Sequence, residues 1–269
     1  MAERPLALIT GASAGIGAEY ARQMAAAGYD LALSARRRER LDRLAEQFAS
    51  EHGCECLVIP ADLADPAAPG QICAAIAESK RAVNVLVNNA GYAIAGVYHQ
   101  TDWDDQARFL QVMVTAVAEL SHRLLPGMRE SGSGGIINVA SLAGIVPGSS
   151  GHTLYAAVKS FMISFSESLA MENANRGICI QALCPGFTYS EFHDVVGTRD
   201  IVSKMPDYMW MKADEVVRFS LDRFGKPGAP VMLVPGRLNR FIAMLSRKLP
   251  YRTAFALVRK RSGDFRRQE

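Results

Sequence analysis

Residues 6–17 read Leu6-Ala7-Leu8-Ile9-Thr10-Gly11-Ala12-Ser13-Ala14-Gly15-Ile16-Gly17: a short apolar run that breaks into three glycines and then opens a segment of helical period. A strand feeding a helix through such a turn is the start of a strand–helix–strand unit. The glycines let the backbone approach a phosphate, and the helix N-terminus offers free N–H groups to hold it. The stretch implies both a parallel sheet and an anion site at its carboxyl edge.

Working outward, short apolar, β-branched runs recur at Leu31 to Ala35, Leu57 to Pro60, Val83 to Asn88, Gly135 to Ala140, Ile178 to Leu183 and Val231 to Val234. Longer segments with one apolar face lie between them: Gly15 to Gly28, Glu39 to His52, Asp102 to Glu130 and Tyr155 to Arg176. Near-continuous apolar strands are those buried on both faces, and alternation with helices makes them parallel. The expected fold is α/β, a Rossmann-type doubly wound sheet of about seven strands in a single domain. There is no internal repeat, low-complexity tract or interdomain linker.

With 269 residues, 49% of them hydrophobic, the chain is long enough for one large core. It holds no apolar run of the roughly 18 to 20 residues that cross a bilayer, and no secretory-type leader, so a cytoplasmic location is expected. The five cysteines, Cys54, Cys56, Cys73, Cys179 and Cys184, are odd in number and mostly beside apolar stretches, which suits reduced thiols. Cys54 and Cys56 stand too close for the usual zinc pair, and no metal is expected. The net charge of +3 hides an asymmetry: Gly236 to Glu269 carries ten Lys or Arg against two acids.

The glycine spacing is Thr-Gly-x-x-x-Gly-x-Gly rather than Gly-x-Gly-x-x-Gly. Downstream, Asp62 follows the third strand, Asn88-Asn89-Ala90-Gly91 the fourth and Ser141 the fifth, before Tyr155-x-x-x-Lys159 and Pro185-Gly186. In this series the chain resembles the short-chain dehydrogenase/reductase family, classical type, from Pro5 to about Pro235. The resemblance implies a domain over residues 1–235 that holds cofactor and catalytic site together and a substrate lid at about 187–211; the charge distribution sets residues 236–269 apart as a basic tail.

It also implies a nicotinamide dinucleotide cofactor. Gly11, Ser13, Ala14, Gly15, Ile16 and Gly17 would cradle its pyrophosphate, and Asp62 and Leu63 would flank its adenine. Asn89, Ala90 and Gly91 would line the adenosine ribose, while Pro185, Gly186 and Thr188 would meet the nicotinamide, with Ser190 facing the carboxamide. Where relatives end the second strand with an acid that binds ribose hydroxyls, this chain runs from Ala35 into Arg36-Arg37-Arg38. A guanidinium pairs with a 2′-phosphate, so NADP(H) is expected, held by Arg36 with Arg37 second. The alternative is three arginines forming only the solvated start of a helix.

Hydride transfer to a ketone leaves an alkoxide that needs a proton, and tyrosine's ordinary pKa of about 10 is high for the task. Two positive charges are expected to lower that value: Lys159, one helical turn on from Tyr155, and the nicotinamide ring when oxidised. By resemblance, Tyr155 is the acid/base, Lys159 tunes it and also binds the cofactor ribose, and Ser141 bonds the substrate oxygen. One position departs from the pattern: Met113 stands where the family has a catalytic asparagine that helps hold a water, and its sulfur is only a weak acceptor. His152 reads either as pocket lining or as a proton carrier.

The lid segment is rich in aromatic residues and methionine, among them Met205, Tyr208, Met209, Trp210 and Met211. This points to an apolar, lipid-like alcohol or ketone of 3-oxoacyl or steroid-like type, or else to the lid packing on the body. In the tail, Leu238, Phe241, Ile242 and Leu245 fall at helical spacing among basic residues. That face could pack on the body or a second subunit, or lie on an anionic membrane. Family members commonly form homodimers or homotetramers; nothing but charge speaks for nucleic acid. Two functions fit: an NADP(H)-dependent oxidoreductase, and a non-catalytic cofactor-binding or redox-sensing protein on the same fold, at which Met113 hints.

Overall fold

Along the first strand, β1 (Leu6–Thr10), Leu6 and Leu8 join one apolar cluster while Ala7 and Ile9 join another on the opposite face. Both faces are covered, which is why this strand reads as a continuous apolar run. The structure, a computed structural model, describes residues 3–148, 150–151, 153–191 and 206–261. The remaining strands are β2 (Asp30–Ala35), β3 (Cys56–Pro60), β4 (Val83–Asn88), β5 (Gly134–Val139), β6 (Ile178–Leu183) and β7 (Met232–Leu233). All pair in parallel, in the order β3-β2-β1-β4-β5-β6-β7. The seven strands expected from the sequence are the seven observed, each end within one residue of its expected place.

Helices α1 (Gly15–Ala26), α2 (Arg38–His52) and α7 (Ala213–Leu221) cover one face through Tyr20, Met24, Leu41, Phe48, Val216 and Val217. On the other face lie α3 (Ala68–Glu78), α4 (Trp103–Leu110), α5 (Ala116–Ser131) and α6 (Thr153–Glu172), anchored by Ile72, Phe109, Leu120, Val158 and Met162. The chain builds outward from β1 to β3, then returns to place β4 on the other side of β1. That reversal opens a crevice beyond the carboxyl ends of β1 and β4, the place where such sheets bind ligands.

The segment expected to be helical from Asp102 to Glu130 is helical from Trp103 to Ser131, with a π turn inside it. Asp102 caps α4, its Oδ1 accepting from the Asp104 N–H at 2.8 Å, and a π turn at Gln111–Thr115 separates α4 from α5. The wider turn directs Val112 and Met113 both into the core. In the tail, α8 (Arg237–Lys248) and α9 (Tyr251–Arg261) follow β7, with Asn239, Ala243 and Ala254 buried. Among the described residues no helix is long and apolar enough to cross a membrane.

A buried polar chain sets the height of α6 against the sheet. Asn88 Nδ2 donates to Asn138 Oδ1 at 2.9 Å, Asn138 Nδ2 donates to Ser166 Oγ at 2.9 Å, and Ser166 donates to the Met162 carbonyl at 2.7 Å. Each of these bonds lowers the cost of burying the amides, and together they couple the registers of β4, β5 and α6.

Candidate active site

The glycine turn after β1 and the turn after β4 are laced together. Thr10 Oγ1 donates to the Val87 carbonyl at 3.3 Å and accepts from the N–H groups of Asn89 and Ala90, both at 3.1 Å. Asn89 Nδ2 donates to the carbonyls of Thr10 at 3.0 Å and Gly11 at 3.2 Å. A Cβ on Gly17 would stand 2.3 Å from the Gly11 carbonyl oxygen, so only glycine fits there. Helix α1 starts at Gly15 with no side-chain cap and no acid in its first turn. Its first N–H groups and positive dipole end therefore suit a phosphate, and the cradle fits a dinucleotide.

At the adjacent edge, Arg36 is exposed and has no carboxylate within ion-pair distance among the described residues. Asp62 turns the chain after β3, its Oδ1 accepting from the Ala64 N–H at 3.1 Å, and Leu63 between them is buried. The charges of Arg36 and Asp62 both reach Tyr92, whose ring meets Phe109 edge-on at 5.4 Å. Arg37 is committed elsewhere: it bonds Glu191 at 3.0 Å and donates to Ser13 Oγ at 3.1 Å, while Arg40 bonds the other oxygen of Glu191 at 2.6 Å. Arg40 and Arg37 hold the Glu191 carboxyl below its usual range. Tyr92, Arg40 and Glu191 escaped the sequence reading. Arg40 was findable as the residue one turn beyond Arg37, whereas nothing local marks Glu191 as its partner.

Ser141 follows β5 and caps a short 3-10 turn, Leu142–Gly144, its Oγ accepting from the Ala143 N–H at 3.1 Å. That turn is pinned on both sides. Leu142 N–H donates to the Pro185 carbonyl at 2.9 Å, and a Cβ on Gly144 would lie 2.7 Å from the Lys159 carbonyl oxygen. Tyr155, in the first turn of α6, is hydrogen-bonded to the Ser141 side chain. Lys159 Nζ donates to the Val139 carbonyl at 2.7 Å and lies 5.6 Å from the Tyr155 ring centre.

Burial pushes Tyr155 up to about 12, with the Ser141 hydrogen bond pulling the other way. Burial outweighs the downward shift expected from Lys159. Lys159 is itself pushed down to about 7 by burial, with the Cys184 thiol acting oppositely. Cys184 is a further neighbour that the sequence reading did not assign, and burial drives its own value up to about 12. The five cysteines are free, and among the described residues no group of His, Cys, Asp or Glu could hold a metal.

Met113 is fully buried, and its sulfur lies 2.8 Å from where a Cβ on Gly91 would stand. The thioether thus packs on the turn after β4, in place of a polar side chain. Beyond β6, Thr188 Oγ1 donates to the Gly186 carbonyl at 3.1 Å, and the side chain of Asn239 fills the space over Gly186. Ser190 lies against Gly15. Trp210 stacks on Tyr189 at 4.7 Å and meets Phe187 at 5.5 Å, forming an apolar wall continuous with Met211, whose N–H donates to the Phe187 carbonyl at 2.9 Å. His152, Met205 and the rest of the lid from 192 to 204 lie outside the described residues.

The fold and site define a nicotinamide-dinucleotide-binding oxidoreductase fold. A model of the short chain dehydrogenase family matches residues 5–200. Nodulation protein G of Rhizobium sp. (strain N33) is 39% identical over 194 residues, spanning 70% of this chain and 75% of that one. Sulfoacetaldehyde reductase of Chromohalobacter salexigens is 36% identical over 186 residues, spanning 68% and 72%. A solved short-chain dehydrogenase from Sphingobium yanoikuyae in complex with NADPH superposes with a TM-score of 0.80 at 33% identity, covering 91% of this chain and 96% of that chain. The protein belongs to the short-chain dehydrogenase/reductase family.

Proposed function

We propose that the protein is an NADP(H)-dependent oxidoreductase acting on an apolar CH–OH or ketone group, with Ser141, Tyr155 and Lys159 as its catalytic residues. The observation that carries this is the Tyr155 hydroxyl bonded to Ser141, with Lys159 one helical turn away on the same face. The dinucleotide, when bound, supplies the hydride that reduces the carbonyl carbon. Tyr155 gives its hydroxyl proton to the carbonyl oxygen, and Ser141 holds that oxygen by a hydrogen bond. Burial keeps Tyr155 protonated near neutrality, so the proton that ketone reduction requires is present on its hydroxyl. Lys159, with a value of about 7, can return a proton to the tyrosinate.

Arg36 supports the NADP(H) reading, being a guanidinium at the end of β2 with no acid beside it among the described residues. The NADPH complex of the Sphingobium relative favours the same cofactor. The wall of Phe187, Tyr189, Trp210 and Met211 suits a lipid-like or steroid-like substrate better than the small charged aldehyde named for the Chromohalobacter relative. The enzyme is cytoplasmic and a homodimer or homotetramer in this reading.

A second reading, cofactor binding without turnover, is favoured by Met113, whose buried sulfur replaces a polar group on the proton path. One experiment separates the two. NADPH and NADH absorbance is followed against steroid, 3-oxoacyl and aryl ketones, with Tyr155→Phe as control. Turnover with NADPH that vanishes in the control supports the reductase; cofactor binding with no turnover on any ketone supports the second reading.

A further inference from the structure

We propose that the carboxyl-terminal helices dock the protein onto an anionic lipid bilayer, with a groove beside β7 receiving a phosphate-bearing headgroup. Helix α8 buries Asn239 and Ala243 but turns Phe241, Met244, Leu245 and Lys248 outward, spaced i, i+3, i+4 and i+7 along one stripe. Phe241 is 56% exposed, Met244 45% and Leu245 40%. On α9, Tyr251, Phe255 and Leu257 are also exposed, with Tyr251 stacked on Phe255 at 5.9 Å. So many large apolar side chains on two short consecutive helices mark an interaction surface rather than scattered exposure.

Charge identifies the partner. From Arg237 to Arg261 the chain carries eight Lys or Arg and no Asp or Glu. An open groove of about 550 Å³ lies between α7, β7 and α8; its lining combines Met232, Val234 and Met244 with Arg223, Arg240 and Arg247. Arg223 stacks over the Phe219 ring at 3.8 Å, and of the three arginines only Arg247 reaches a carboxylate among the described residues, Glu167 at 3.9 Å. An apolar floor rimmed by guanidinium groups fits an anion that carries a hydrocarbon chain.

A second copy of the chain is a poor occupant. A two-fold contact sets the same patch against itself, and here that opposes cations to cations. Nucleic acid would satisfy the charge but leave Phe241, Met244 and Leu245 in water. An anionic bilayer answers both, taking the apolar stripe into the headgroup region and pairing the basic flanks with phosphate.

The test floats the full-length protein with vesicles of phosphatidylcholine alone, or of phosphatidylcholine and phosphatidylserine in equal parts, at low and high salt. Binding to the phosphatidylserine vesicles is expected to exceed binding to the neutral ones by about tenfold or more and to fall at high salt. Replacing the exposed stripe (Phe241→Ser, Met244→Ser, Leu245→Ser) should abolish it, and so, separately, should Arg240→Glu with Lys248→Glu. Circular dichroism checks that each variant is folded, and the two sets keep the test open should one of them not be. Equal binding to both vesicle types, no binding to either, or undiminished binding by the folded serine variant overturns the proposal. A stripe variant that instead shifts a dimer to monomer in ultracentrifugation, with no vesicle binding by the parent, overturns it in favour of a subunit contact.

Discussion

Lys159 Nζ donates to the Val139 carbonyl at 2.7 Å, inside a site that leaves the lysine only 4% exposed. The hydrogen bond offsets only part of the cost of burying an ammonium, so the lysine's value falls from 10.5 to about 7. Between those values the unfolded chain holds a proton that the folded chain has released, so this group's contribution to stability rises with pH across that window. Below about pH 7 the full penalty remains. Lys159→Met should therefore stabilise the fold at about pH 6, by about 1–3 kcal/mol after the loss of the Val139 bond, with the gain shrinking toward pH 10. Urea unfolding of both proteins across that range measures it, and a gain independent of pH would refute the assignment.

The same lysine should shape the reaction's pH profile. If protonated Lys159 resupplies Tyr155, ketone reduction falls above about pH 7 with a slope near one decade per unit. Tyr155 itself, held at about 12, contributes no break below that value. Tyr155→Phe should lower kcat/KM by about 10²- to 10⁴-fold while leaving NADPH affinity within about threefold. Steady-state rates paired with fluorescence titration of NADPH test both statements.

Cofactor choice should lie with Arg36 and, less directly, with Glu191. Arg36→Ala removes a charge-assisted bond to a 2′-phosphate and should raise the KM for NADPH about ten- to hundredfold while leaving that for NADH nearly unchanged. Glu191 occupies Arg37 and Arg40, two further guanidinium groups that follow β2. Glu191→Gln should free them and tighten NADPH severalfold over NADH. Equal effects on both cofactors would show that Glu191 acts only on loop geometry.

Two glycines that look alike in sequence should respond differently to alanine. At Gly17 the added carbon meets the Gly11 carbonyl at 2.3 Å, backbone that is fixed by Thr10 and Asn89, so Gly17→Ala should cost about 3 kcal/mol or more and abolish cofactor binding. At Gly91 the carbon meets the Met113 sulfur at 2.8 Å, the flexible end of a side chain that can move aside. Gly91→Ala should cost about 1 kcal/mol and leave binding measurable. Thermal unfolding with and without NADPH separates the two.

Most of the sheet was legible because a strand buried on both faces has to be apolar along its whole length, as Ala7 to Ile9 and Val85 to Val87 are. The glycine turn was legible for a related reason, since contact between two backbones excludes any side chain. The π turn at Gln111–Thr115 was not, because a helix widened by one residue keeps nearly the same apolar spacing as a regular one. Nor was the end of α6, where Asn175 at positive φ and the following Gly177 turn the chain toward β6 while the apolar pattern runs on toward Arg176.

The residue order alone determined the parallel α/β fold, the family, and the set of side chains gathered at the carboxyl edge of β1, β4, β5 and β6. The fold follows from local patterning, which each segment carries within itself, and the family and its site residues follow from the resemblance of their motifs. Only the tertiary structure decided how those groups stand toward one another. It buried Tyr155 and so raised its value, tied Lys159 to Val139, closed Arg37 and Arg40 onto Glu191 while leaving Arg36 open, and turned Phe241, Met244 and Leu245 outward. Burial, ion pairing and exposure depend on neighbours distant in sequence, 20 residues for Lys159 and Val139 and more than 150 for Arg37 and Glu191, and no local pattern encodes them.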